Sequence, residues 1–300
     1  MLSVITPTFN GMSKGLGRSI NSVLQIDLVQ EYIIIVDGSN DSSYEFCNDL
    51  KKKDSRIKLI SNNNNLGWTY SVSKAIDSIS NKWITIHNDD DWLLPNFNNL
   101  INFTSQNDLD LCYSKYAIGN DQKKKIELFY NPAWPKESQK VLKQEFYNLL
   151  LNDCYIGRCI IKTEKFSKLF EEKRIRKIEK KFGDSFTAFD FECYLQMTVN
   201  NDKFGFLNEV CSVWTKRNAQ QTGHHYVYSG KSAAENSFLF NSYFNPQIHS
   251  FDWNYLNKVF QRVKSLFLIA KENNSTLDKN FEKHFLLFSK NIQQIRETYV

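Results

Sequence analysis

Short β-branched runs alternate with helical stretches over the first 115 residues, and no other feature restricts the fold as tightly. "LSVIT" (2–6), "YIIIV" (32–36), "IKLI" (57–60), "WITIH" (83–87) and "LDLCYS" (109–114) are bounded by Gly, Asn, Asp and Ser, as strands are. Between them, "LGRSINSVLQI", "SYEFCNDLKKKD", "WTYSVSKAIDSIS" and "PNFNNLINFTSQ" place apolar residues at helical spacing. Strands separated by helices pair in parallel, because only a crossover connection returns the chain to the same edge of the sheet. Such crossovers are right-handed and cover both faces with helices. The expected fold is therefore α/β, with a mostly parallel central sheet flanked by helices.

From 120 to 215 the pattern loosens. A lysine-rich turn and "NPAWPKE" precede a helix near 137–152, a strand near 159–162 and a basic helix. Another helix starts near 188, followed by the hairpin-like runs "KFGFLN" and "EVCSVWTK". Residues 217–230 lack apolar periodicity and predict a long loop, of the length that usually serves as a lid or stays disordered. After 231 the apolar spacing predicts helices that pack on the main domain or on another subunit. The division expected is a domain over 1–225, in halves 1–115 and 116–225, and a helical region over 226–300.

Composition narrows the function classes. Hydrophobic residues at 41% and charged residues at 24% suit a soluble globular chain. No basic region followed by an apolar stretch opens the sequence, and no run approaches the ~18 apolar residues of a membrane span. A cytoplasmic protein is expected. The six cysteines form no C-x-x-C pair, which argues against a zinc site or disulfide framework and for small buried thiols. Residues 162–181 carry nine Lys/Arg against four Glu. A helix of that charge is either a solvated face or a peripheral contact with an anionic membrane at its inner face; no nucleic-acid partner is expected.

In an open parallel sheet, ligands bind beyond the carboxyl ends of the strands. There the chain places Thr6-Pro7-Thr8-Phe9-Asn10, then Asp37-Gly38-Ser39-Asn40-Asp41, then Asn88-Asp89-Asp90-Asp91. Adjacent carboxylates repel and are costly to dehydrate, so this edge calls for a counter-charge. Carboxylates hold phosphate only through a hard cation such as Mg²⁺ or Mn²⁺. With no G-x-G-x-x-G and no G-x-x-x-x-G-K-[ST], the edge favours a nucleoside diphosphate held through metal. Helix capping before Pro95 would account for one aspartate, Asp91, but not for three.

Taken in order, "SVITPTFN", "IIIVDGSNDSS", "NNLGWTYSVSKAI" and "ITIHNDDDWLLP" resemble glycosyltransferase family 2, whose members have the GT-A fold and use nucleotide-sugar donors. The resemblance covers residues 1–115 well and 150–225 loosely. It implies that Thr6 to Asn10 contact the base and ribose, that Asp37 recognises uracil, and that Asn65 to Gly67 line the donor pocket. Relatives have two acids before the Gly-Ser, whereas this chain has only Asp37. The D-x-D motif falls on Asn88, Asp89 and Asp90, with Asp90 as metal ligand, Asp89 toward ribose or sugar, and Asp91 as second ligand or cap. The catalytic base of the family falls on Asp190, in "SFTAFDFECYLQM", with Phe189 in place of a first acid. Glu192 is the rival; residues two apart on a helix point about 200° apart, so only one of them faces the donor. Arg217, His224 and His225 occupy the segment that closes over the donor in relatives.

The resemblance implies a metal-dependent, inverting transfer from a nucleotide-sugar, with a UDP-sugar the expected donor, to a hydroxyl of a glycan or lipid-linked acceptor in bacterial surface polysaccharide synthesis. Asp190 takes the acceptor proton while the metal neutralises charge on the leaving diphosphate. Two other classes share the fold: a sugar-phosphate nucleotidyltransferase, and a non-catalytic carbohydrate-binding or assembly subunit. The C-terminal helices are a candidate homodimer surface.

Overall fold

The computed structural model describes residues 1–120, 125–132, 134–143, 145–146, 149, 159–171, 188–199, 202–216, 224–243, 253–274 and 277–299. The chain forms two compact units that interleave in sequence. One comprises Met1–Phe146, Ile156–Ile178 and Asp202–Lys216; the other comprises Tyr147–Tyr155, Glu179–Asn201 and Arg217–Val300.

The first unit is built on a mixed sheet. Its strands are β1 (Leu2–Thr8), β2 (Val29–Asp37), β3 (Ile57–Asn62), β4 (Trp83–Ile86), β5 (Trp92–Leu93), β6 (Leu111–Asn120), β7 (Lys125–Leu128), β8 (Gln139–Val141), β9 (Ile160–Lys162) and β10 (Phe204–Thr215). They are ordered β3-β2-β1-β4-β9-β6-β10-β5, with β7 on β6 and β8 on β10. β3, β2, β1 and β4 are parallel, as the alternating pattern requires. β9 then runs antiparallel between β4 and β6, and β6 pairs in parallel with β10. The sheet is thus less uniformly parallel than the alternation of residues 1–115 suggests. The reversal comes from β9, which pairs antiparallel with both of its neighbours.

Four helices follow the predicted stretches: α1 (Leu16–Leu24), α2 (Ser43–Lys51), α3 (Trp68–Ala75) and α4 (Phe97–Gln106). α1 turns Leu16, Ile20 and Val23 inward, and α4 turns Phe97, Leu100 and Ile101 inward, at the three- and four-residue intervals of one helix face. These side chains join Val4, Tyr32, Ile34 and Val36 in a single core. β2 is buried along nearly its whole length, because a central parallel strand is covered on both faces. The first of its two buried acids, Glu31, accepts bonds from Ser3 Oγ (2.5 Å), Lys58 Nζ (2.5 Å) and Ser80 Oγ (2.9 Å), which together close the end of the sheet opposite the acidic loops.

Several expected boundaries shift. "KFGFLN" and "EVCSVWTK" form one continuous strand, β10, whose register with β6 slips between Leu207 and Ser212; no hairpin separates them. Of the helix expected near 137–152, residues 139–141 form strand β8, and the described residues 143, 145, 146 and 149 are helical. The helix after the acidic cluster starts at Phe97 rather than at Leu93–Pro95, because Trp92 and Leu93 pair with β10 as β5. Of the basic stretch, α5 (Thr163–Leu169) is described, and Lys173, Arg174, Arg176 and Lys177 lie outside the described residues. So does Cys154; the other five cysteines are buried thiols.

The second unit holds α6 (Phe189–Val199), α7 (His224–Tyr228), α8 (Lys231–Tyr243), α9 (Trp253–Asn273) and α10 (Lys279–Tyr299). α7 replaces part of the loop expected over 217–230, of which 217–223 lie outside the described residues. Phe240 of α8 meets Phe191 of α6 and Phe288 of α10. Among the described residues, no helix is long and apolar enough to cross a membrane.

Candidate active site

The polar segments after β1, β2 and β4 meet at one edge of the sheet, and they are bonded to one another. Asn10, in the left-handed region at φ 51°, donates its N–H to Ser39 Oγ (3.0 Å) and accepts the Asn40 N–H on Oδ1 (2.9 Å). Gly11 N–H donates to Ser43 Oγ (3.0 Å), and Met12 N–H to Asp41 Oδ2 (3.1 Å). Thr8 Oγ1 donates to Asp89 Oδ2 (2.8 Å), and Lys14 Nζ lies 3.5 Å from the same oxygen. Gly11 makes the close approach possible: a Cβ there would lie 2.2 Å from Thr8 Oγ1 and 3.1 Å from Asp89 Oδ2.

Asp37 faces a different task from the one its position suggests. It is buried, and it accepts Asn62 Nδ2 (2.8 Å) and Leu66 N–H (3.0 Å) on Oδ1, and Gly67 N–H (2.9 Å) on Oδ2. Asn65 Oδ1 also accepts the Gly67 N–H (2.9 Å). Asn65 and Gly67 are therefore brought to Asp37, as predicted for one pocket, but the carboxylate is spent on shaping their loop. Gly38 is needed beside it. It sits at φ +67°, and a Cβ would fall 2.3 Å from the backbone of Asn64.

The acidic turn divides its three aspartates among different roles. Asp91 is fully buried; Oδ1 accepts the Thr215 N–H (2.6 Å) and Oδ2 accepts Asn88 Nδ2 (2.9 Å). It neither caps α4, whose N-cap is Asn96, nor presents a vacant carboxylate edge. Asp90 and Asp89 are half-buried. The carbonyl of Asp90 accepts Thr215 Oγ1 (2.5 Å) and, at 3.4 Å, Arg18 Nη2. Arg18 in turn stacks 4.0 Å above the Trp92 ring, and Ser19 Oγ donates to the Asn88 carbonyl (2.9 Å). The end of β10 and the start of α1 thus hold the turn from two sides.

Among the other predicted residues, Thr6 is buried, and its Oγ1 accepts a bond from Tyr32 OH (3.0 Å) beneath the edge. Burial pushes the Tyr32 hydroxyl far above its ordinary range, so it stays a donor. Pro7 is partly covered and Phe9 is exposed. Asp190 lies in α6 of the second unit, and its side chain is outside the description, as are those of His224 and His225 and the whole of Arg217. Glu192 is buried within that unit. Sequence reasoning missed Thr215, Arg18 and Ser43, and named Ser39 only as a member of its loop. The signal available for the two serines was their place in the loop after β2; Thr215 gave none, because its partners lie more than 120 residues away.

The donor set bears on metal binding. Among the described residues no group of three His, Cys, Asp or Glu could hold an ion by itself. A Mg²⁺-like ion needs only one or two carboxylates when substrate phosphates and water complete its shell. The half-buried pair Asp89 and Asp90 supplies that number of carboxylates, whereas both oxygens of the buried Asp91 accept bonds from protein donors.

Comparison with known proteins agrees with this geometry. The family model described as "Glycosyl transferase family 2" matches residues 3–170. The uncharacterized glycosyltransferase MJ1057 of Methanocaldococcus jannaschii is 28% identical over 214 residues, 70% of this chain and 68% of that protein. The Escherichia coli UDP-Glc:alpha-D-GlcNAc-diphosphoundecaprenol beta-1,3-glucosyltransferase WfgD is 27% identical over 158 residues, 52% of this chain and 57% of its own length. Among solved structures, S. aureus TarS 1-349 in complex with UDP-GlcNAc superposes with a TM-score of 0.66 at 14% identity, covering 98% of this chain and 80% of that one. The last likeness concerns the fold, which is GT-A.

Proposed function

The chain belongs to glycosyl transferase family 2, and from that premise we propose that it moves a sugar from a UDP-sugar to a hydroxyl of a glycan or lipid-linked acceptor, with inversion at the anomeric carbon. The observation that carries the reading is the bonded convergence of the loops after β1, β2 and β4, with Thr8 on Asp89 and Asn10 on Ser39 and Asn40. Such an edge of hydroxyls, amides and carboxylates, closed by tight glycine contacts, suits a nucleoside diphosphate-sugar. The WfgD likeness supports the UDP-sugar and the lipid-linked acceptor as classes.

In this reading Asp90, supported by Asp89, holds a Mn²⁺ or Mg²⁺ ion that would neutralise charge on the departing diphosphate. Asp91 and Thr215 fix the turn. Asp37 acts on the base through the Asn65–Gly67 loop it shapes. Asp190 is the base for the acceptor hydroxyl, and peripheral contact of the 162–181 stretch with an anionic membrane would place the enzyme beside a lipid-linked acceptor.

UDP release from UDP-sugars in the presence of Mn²⁺, with and without saccharide acceptors, tests the reading. Turnover should disappear in Asp90→Ala and in Asp190→Asn. UDP binding without turnover on any acceptor would point to a binding subunit instead. Pyrophosphate release from a sugar phosphate and UTP would make the protein a nucleotidyltransferase.

A further inference from the structure

We propose that the outward face of the α9–α10 hairpin is a docking surface for an anionic lipid bilayer. The hairpin belongs to the second unit, and no residue of the nucleotide-sugar site takes part in it. α9 turns Leu256, Val259, Val263, Phe267 and Ala270 inward, and α10 turns Phe285, Phe288 and Ile292 inward. These positions leave a coherent outer arc on each helix. On that arc, Leu268 and Ile269 of α9 are 47% and 37% exposed, and Leu286 and Leu287 of α10 are 57% and 49% exposed.

The two apolar pairs are at the same height. The Phe267 and Phe285 rings stack at 3.9 Å, which sets the register of the antiparallel helices just beside both pairs. Lysines bracket each pair within about one turn: Lys264 and Lys271 on α9, Lys283 and Lys290 on α10. Lys271 also bonds Glu282 across the hairpin at 3.0 Å and pins the register. Over residues 253–299 there are eight Lys/Arg against four Asp/Glu, so the two helices and their connection are net positive.

Apolar side chains ringed by cations, on helices too polar to enter the bilayer, are the signature of a helix that lies in the headgroup region. The same charge argues against a second copy as the occupant. A two-fold interface is isologous, so it would bring this net-positive patch onto a copy of itself. Nucleic acid would satisfy the lysines but leave four large apolar side chains in water. A bilayer of anionic lipid satisfies both.

Cosedimentation of the full chain with vesicles tests the proposal. Binding is expected to vesicles of equal parts phosphatidylglycerol and phosphatidylcholine, to fall with added salt, and to be absent on phosphatidylcholine alone. Leu286→Gln/Leu287→Gln and Lys283→Glu/Lys290→Glu should each weaken it by about tenfold or more, while UDP release with a soluble acceptor stays unchanged. These sites are exposed, so far-UV circular dichroism should match the wild type. Three outcomes would overturn the proposal: equal binding to both vesicle types, variants that bind like wild type, or loss of binding only on charge reversal at Lys173, Arg174, Arg176 and Lys177. A dimer in sedimentation that the Leu286→Gln/Leu287→Gln change dissociates would also overturn it, in favour of a second copy.

Discussion

Thr215 donates its backbone N–H to Asp91 Oδ1 at 2.6 Å, joining residues 124 apart in sequence. The bond ties the turn after β4 to the last residue of β10. Because the Thr215 hydroxyl also donates to the Asp90 carbonyl, one residue fixes two successive positions of the acidic turn. The turn is thus held at two levels: Asp91 through its buried carboxylate, and the half-buried Asp90 through its backbone carbonyl.

That difference predicts unequal behaviour of neighbouring aspartates. Asp91→Ala leaves the buried Thr215 N–H and the Asn88 amide without their acceptor, which costs about 2–4 kcal/mol. The urea midpoint should drop accordingly, and turnover with it. Asp90→Ala, at a half-buried position, should cost less stability than Asp91→Ala while abolishing Mn²⁺-dependent UDP release. Equal unfolding midpoints for the two variants would refute the assignment.

Thr215→Val keeps the N–H bond to Asp91 and the side-chain volume but removes the hydroxyl that holds the Asp90 carbonyl. A lost hydrogen bond of this kind is worth about 0.5–1.5 kcal/mol. The expected result is a several-fold weaker UDP affinity by calorimetry, with the wild-type fold retained. Thr215→Ser should restore it. If Thr215→Val binds UDP as tightly as wild type, the hydroxyl has no positioning role.

At the far end of the sheet, Glu31 predicts a pH dependence. Burial pushes its carboxyl up, but Lys58, Ser3 and Ser80 outweigh that and hold it below the ordinary glutamate range. A carboxylate with a depressed folded pKa contributes stability that is present above its unfolded value and is lost as the pH falls through the folded one. Wild type should therefore lose stability between about pH 5 and pH 3 by more than Glu31→Gln does. Parallel urea midpoints for both proteins across that window would contradict the network.

Much of this was legible in the sequence, and the exceptions share a cause. The parallel run β3-β2-β1-β4 and helices α1 to α4 follow from local periodicity, which is set by neighbours in the chain. The converging loops followed as well, since parallel strands must release their polar ends at one edge. What escaped depends on pairing between distant segments. Leu93–Pro95 resembled a helix start because nothing nearby announces that Trp92 and Leu93 pair with Val213 and Ser212. β10 looked like a hairpin because its polar middle, Asn208–Glu209, marks a register slip rather than a turn. Asp91 resembled a cap or ligand for the same reason: its donor arrives from β10.

Asp37 supplies the sharpest test of the donor pocket. Its two oxygens accept three donors from the loop that runs from Asn62 to Gly67, so the carboxylate shapes the wall that carries Asn65. Asp37→Asn keeps the volume but replaces one acceptor oxygen with an NH₂ group, which would face a donor: the Gly67 N–H, or the Leu66 N–H and the Asn62 amide. The loop must then move. The KM for the UDP-sugar should rise about tenfold or more while kcat changes far less, because the wall binds the donor and leaves the reacting centre alone. Stability should fall by about 1–3 kcal/mol, the cost of an unsatisfied buried donor. An unchanged KM would mean that the Asn65–Gly67 loop takes no part in holding the donor.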